Sequence, residues 1–460
     1  MKQKVCVALA ALVLIAGTVQ QSAAGSPGHT TLVLDLDGCI QTALQNAPEI
    51  GEAQADQALT ESRLDEAKGY RLPQISLTSL VGPAPGAKKE DLTPVVNTEK
   101  SFNMRDLTWF TSSDIMITQP LWTFGKISEN MKAAIHGIEV DKAKKRQKGH
   151  EVALEVKKYY YGLLLARELQ GVIAELQQYM RQGKEKVQEL IDNESAAGDP
   201  MDLHKIDAYS GSVNKYMEEA HKGECLATAA LKARLGLEPG LDIDIPTDEL
   251  TEPENGFADI GEYIEKARVQ RPEFKQLAEG MAARTALVQA AKANYYPDIF
   301  LAGVFSWAYA EDRDKIRNPY ISDSFNHLYG GVALGARWKL DFGITKSKVA
   351  GEQAQLNRLS STRQFADTYI PLQVKKAWFE LNEAFNNIST TKSSYHSAKK
   401  WGAAALANFD FGIGNPRDVF DAVEVYGKMK AAYYQSIYDY YIAKANLDYA
   451  IGENPVGQAK

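Results

Sequence analysis

The sequence predicts a mainly α-helical, internally duplicated chain with a small β component. Three observations carry this reading. One series of landmarks occurs twice in the same order, each occurrence contains a helical stretch far longer than a globular domain uses, and each places two alternating apolar segments before that stretch. The 460 residues are 45% hydrophobic and 24% charged, ordinary for a folded chain. The net charge of −7 offers no general attraction for nucleic acid, which is not expected as a partner.

Residues 1–24 read as a secretory signal peptide: Lys2 and Lys4, an apolar stretch from Val5 to Ala16, and the small-residue ending Ser22-Ala23-Ala24. That stretch is shorter than the ~20 residues a spanning helix needs. No cysteine sits where a lipid anchor would need one. Cys39 and Cys225 read as two free thiols, although export permits a disulfide.

The first repeat is expected over residues 25–245 and the second over 257–452, with a linker at 246–256 and a tail at 453–460. Shifted by 224 residues, Asn46 to Gly82 aligns with Gln270 to Ser306 without a gap, matching Pro48-Glu49 with Pro272-Glu273 and Pro73 with Pro297. At a shift of 218, Phe124-Gly125 meets Phe342-Gly343; at 216, Gly198, Pro200 and Asp202 meet Gly414, Pro416 and Asp418. Proline in a first helical turn beside a carboxylate predicts helices over 48–70 and 272–294. Alternation after Pro73 and Pro297 predicts strands at 73–82 and 297–309, with return strands at 113–121 and 328–340. The polar segments between the paired strands read as exterior loops.

Long helices follow at 126–193 and 344–411, each about 100 Å if continuous. Val152, Tyr159, Ala166, Ile173, Met180 and Val187 recur every seven residues, which is coiled-coil packing. Such helices need neighbours of comparable length. The helices 48–70 and 201–236 stacked end to end supply one, and 272–294 with 417–451 supply another. Pro371 is expected to kink the second long helix. Four strands per chain cannot close a barrel around a lumen, so closure requires several chains; physics alone permits about 8, 12 or 16 strands.

The ordered series Leu34-Asp35-Leu36-Asp37, Asn46-Ala47-Pro48-Glu49, Pro73-Gln74-Ile75, Gln119-Pro120-Leu121-Trp122-Thr123-Phe124-Gly125, Tyr159-Tyr160 and Leu235-Gly236 resembles the TolC-like outer membrane efflux proteins. The resemblance implies a homotrimer, a 12-stranded barrel in outer-membrane lipid, and a periplasmic α-barrel of long helices. It also implies a passive exit duct for efflux or type I secretion, docked to a periplasmic adaptor and an inner-membrane pump.

The family's periplasmic tip would fall at the turns 195–202 and 412–418, with Gly198, Pro200, Gly412, Gly414 and Pro416 as candidate adaptor-docking residues. Asp418-Val419-Phe420-Asp421 is similar to the Asp-x-x-Asp that rings the family's tunnel constriction; i and i+3 share a helix face, so carboxylates from three chains would gather around the lumen. Alternatively, Asp418 caps a helix after Gly414-Asn415-Pro416. Asp202 stands at the family's first gate carboxylate, but Phe409 replaces its tyrosine and Gly414 its arginine, with Arg417 a nearby substitute. Ala196 stands where glycine is usual.

Two other classes compete. Leu32-Val33-Leu34-Asp35-Leu36-Asp37-Gly38 resembles the opening of haloacid-dehalogenase-like phosphatases, with Gly198-Asp199 and Asp202 hinting at their metal site, but that chemistry needs a doubly wound sheet where this chain has long helices. A periplasmic coiled-coil adaptor or rod would explain the heptads but not the paired strands. The seven histidines lack ligand spacing and Tyr159-Tyr160-Tyr161 reads as helix packing, so no catalytic residue, metal or cofactor is expected.

Overall fold

A computed structural model describes residues 31–86, 107–194, 199–237, 241–246, 249–253, 256–311, 313–315, 320, 322–411 and 414–455. The expected signal peptide, Gly198 and Gly412 lie outside these residues. The first half runs β1 (Thr31–Val33), α1 (Leu36–Asn46), α2 (Pro48–Gly69), β2 (Gln74–Pro85), β3 (Leu107–Trp122), α3 (Lys126–Asp192) and α4 (Pro200–Leu235). After β4 (Asp242–Asp244), the second half runs α5 (Ile260–Gln270), α6 (Pro272–Ala293), β5 (Asp298–Ala310), β6 (His327–Arg337), α7 (Ile344–Asp410) and α8 (Pro416–Ile451).

Corresponding helices have equal lengths: 11 residues for α1 and α5, 22 for α2 and α6, 67 for α3 and α7, 36 for α4 and α8. The short helices α1 and α5 escaped the motif reading. Each opens on an aspartate cap, Asp35 accepting from the Gly38 amide and Asp259 from the Gly261 amide. Those caps stand 224 positions apart, so Asp35, part of the Leu32 to Gly38 string that resembled a phosphatase opening, is a helix cap whose counterpart is Asp259 in the second half.

α3 packs against α2 and α4 on one side and against α6 and α8 on the other, while α7 packs against α6 and α8. The wall is therefore ordered α2/α4, α3, α6/α8, α7. The sheet continues that order as β2-β3-β5-β6, all antiparallel. Its strands span 11 to 16 residues, enough to cross a bilayer at a tilt. One face carries Ile75, Ile117, Gly303 and Val332 in register, and along it Leu77, Phe305, Trp307 and Leu334 are exposed. The other carries Thr78, Asp114, Ser306 and Tyr329. β2 and β3 extend beyond the expected strands, to Pro85 and back to Leu107, because the pairing continues through Ala84 and Thr108. Among the described residues no helix is long and apolar enough to cross a membrane.

The core lies where the short helices meet end to end. Val152, Val156, Leu163, Leu231, Leu235, Val374, Leu381, Ile437, Leu447 and Ile451 are buried there. Asn46 donates Nδ2 to the Leu235 carbonyl at 3.0 Å and Arg271 donates Nη1 to the Ala450 carbonyl at 3.2 Å, satisfying carbonyls at the C-terminal ends of α4 and α8. Arg234 binds Glu49 at 2.6 Å and Arg271 binds Glu273 at 3.1 Å, pinning the first turns of α2 and α6. The segment expected as a linker is part of this packing: Leu250 is buried, and Glu252 accepts from Lys392 and Tyr433. α7 runs unbroken through Pro371, held by the buried Ile370 and Val374 on either side. Cys39 is buried and Cys225 exposed, and both are free thiols.

Gly452 follows α8 in the left-handed region at φ 74°, where an added Cβ would lie 2.8 Å from Arg271 Cα. Gly452→Ala is therefore expected to cost about 1–3 kcal/mol, seen as a lower midpoint in denaturant unfolding.

Candidate functional site at the helix tip

At the end remote from the sheet, α3, α4, α7 and α8 converge. The packing there is a small satellite core of Met180, Val187, Ile206 and Phe420, flanked by Leu203, Tyr209 and Val423. Met180 and Val187 continue the heptad series, so the seam followed along α3 ends here. Two glycines allow the close approach of α8: a Cβ on Gly183 would meet Phe420 at 3.1 Å, and one on Gly427 would meet Leu176 at 2.4 Å.

Asn415 is the cap of α8, its side chain accepting from the Arg417 amide at 2.9 Å. That frees Asp418 from the capping role, and its side chain is exposed in the first turn. Asp421, one turn on, lies 3.9 Å from Arg417 and accepts from Tyr209 at 3.5 Å. Asp202 is buried in the first turn of α4 and bonded to Lys205 on its own helix at 2.7 Å. The structure thus gives Asp202 and Arg417 separate partners. Phe409 lines an apolar groove of about 400 Å³ with Gly183, Val187, Val419 and Phe420. Pro200 and Pro416 each occupy the first turn of their helices, and Gly414 closes the α7 end by donating to the Asn408 carbonyl at 2.9 Å.

A polar link between the two halves, near this end, escaped the motif reading. Glu175 of α3 accepts from Lys430 at 2.5 Å and Tyr426 at 2.9 Å on α8, and from Tyr179 on its own helix at 3.1 Å. Lys430 and Glu175 are only 19% and 29% exposed, so this pair is better shielded than Arg417 and Asp421, at 71% and 43%. Burial pushes the Glu175 carboxyl upward, but the bonds from Lys430 and Tyr426 outweigh it and hold the group below the usual glutamate range. Burial and the bond to Glu175 push Tyr426 well up. Tyr426 and Lys430 share a face of α8, which the sequence displays; their partner on α3 depends on the register between helices, which it does not.

A single layer of very long helices continuous with an open antiparallel sheet, apolar on one face, is the fold that the motif resemblance implied. Comparison with known proteins agrees. The profile of the outer membrane efflux protein family matches residues 263–453, the second half of the chain. The fold is similar to the outer-membrane channel OprN (TM-score 0.75, 16% identity, 92% of this chain and 90% of that one) and to CusC (0.74, 15%, 95% and 96%). It is also similar to the outer membrane protein VceC of Vibrio cholerae (0.73, 15%, 91% and 96%). No curated protein sequence matches the chain. The fold is therefore the one that the TolC-like resemblance implied, and it is shared with these outer-membrane channels.

Because Glu175 is held below its ordinary pKa, its contribution is present above the usual glutamate range and is lost as pH falls through the folded value. Glu175→Gln is expected to cost about 1.5–3 kcal/mol near neutrality and to flatten the acid limb of a stability–pH profile measured by chemical denaturation.

Proposed function

We propose that three copies of this chain close into one duct, with the sheets forming a 12-stranded barrel and the helical walls a continuous tunnel. The observation that carries this is the shared lateral order of wall and sheet. β2 and β6 are open edges, directly above the open flanks α2/α4 and α7. Open edges in lipid leave backbone groups unpaired at several kcal/mol each. β2 runs away from the helices and β6 runs back, so β6 of one copy pairs antiparallel with β2 of the next, a head-to-tail contact that closes a ring. The two halves derive from a duplication, which explains equal helix lengths at constant shifts. We take residues 25–245 and 257–452 as the two repeats.

The duct is passive. Its tip, including Pro200, Gly414, Pro416, Gly198 and Gly412, is the surface for a periplasmic adaptor working with an inner-membrane pump. Asp418 and Asp421 form the constriction, where carboxylates from three chains favour cations. The closed state depends on the Glu175, Tyr426 and Lys430 link across α3 and α8, with Asp202, Phe409 and Arg417 supporting the tip locally. Catalysis has no part in this reading.

The test is single-channel recording in planar bilayers. Replacing Asp418 and Asp421 together by Ala is expected to lower cation preference and change conductance by about twofold or more; unchanged currents would refute the constriction. Glu175→Gln is expected to raise the open fraction, and a variant gated like the parent would remove the latch.

A further inference from the structure

We propose that the outer mouth of the barrel is clasped by a proton-dependent hydrogen-bond chain, Asp114–Ser306–His327–Asp323, which holds the β5–β6 connection across the polar face of the sheet. The proposal rests on the barrel reading, in which that face lines the lumen.

The described residues of the connection reach across the sheet. Arg313, just past β5, donates Nη1 to the Pro85 carbonyl at the end of β2, at 2.6 Å, and Nε to both carboxylate oxygens of Asp323 at 2.8 Å. β3 lies between β2 and β5, so this tie passes over it. Phe325 meets the edge of Phe110 at 5.1 Å, with the Arg313 guanidinium over its ring. Beneath, Ala84, Thr108, Ser112 and Ala310 are all buried, every one on the polar face.

The chain of bonds is one hydrogen short when the imidazole is neutral and the carboxyl ionised. His327 Nδ1 lies 2.8 Å from the Asp323 carbonyl, which only accepts, so that nitrogen carries a proton. Ser306, itself buried, contacts His327 Nε2 at 2.6 Å and also the Asp114 carboxylate. With neutral imidazole and ionised carboxylate, the single hydroxyl hydrogen must serve two acceptors. All three contacts are satisfied only when one more proton is present, on the imidazole or on the carboxyl. Acid therefore completes the clasp, and loss of that proton breaks one link. The groups facing His327 are Asp114 from β3 through Ser306, Tyr329 of β6 stacked at 5.0 Å, and the Asp323–Arg313 pair of the connection. β2 contains no charged residue, and the other described charges of the connection are Glu311, Asp314 and Lys315.

The experiment steps the pH between about 8 and about 5 on the mouth side of reconstituted channels. Wild-type conductance is expected to fall about twofold or more in acid along a one-proton curve. Asp114→Asn supplies an amide N–H in place of the shared proton and is expected to stay in the low-conductance state at both pH values. Ser306→Ala cuts the chain and is expected to stay high at both. A full acid step in both variants, or a step seen only on acidifying the opposite side, overturns the proposal. A wild-type protein that forms no channel at either pH refutes the barrel reading instead.

Discussion

The joints where short helices stack end to end are the contact on which the rest of the molecule depends. A 67-residue helix in water has no partner of its own length in an ordinary domain. Here α4 ends on the start of α2 and α8 ends on the start of α6, so each pair acts as one long neighbour. The contact is tight because Gly236 and Gly452 sit where a side chain would strike Asn46 or Arg271. It is satisfied because Asn46 and Arg271 bond the terminal carbonyls. Without it, α3 and α7 would lose one flank over half their length.

That joint also sets the strand order. Since α2, α3, α6 and α7 lie side by side, the strands attached to them emerge side by side, and a sheet open at both edges is unavoidable. Both open edges and the single apolar face leave backbone groups and apolar surface that one chain alone does not cover. Polar contacts also gather away from the joint, in the Glu175 link towards the tip and in the hydrogen-bonded series around Ser306 on the sheet.

The repeated landmarks, the seven-residue seam and the alternation of Ile75, Leu77 and Val81 were legible because each is a local periodicity. The buried series Val152, Val156 and Leu163 follows from the seam directly. α1 and α5 were missed because their signal is one capping aspartate, and in the first copy that residue sat inside a string resembling another chemistry. The buried Leu250 was read as linker for lack of periodicity.

Composition, period and order by themselves determined the helix lengths and the strand faces, since these depend on backbone geometry and on which side chains avoid water. Only the tertiary structure decided which charges meet. Glu175 finds Lys430 across a 255-residue separation, Asp202 turns to Lys205, and His327 reaches Ser306. Such pairings depend on the axial register between helices and strands, and a sequence records the periodicity that brings elements together without recording that register.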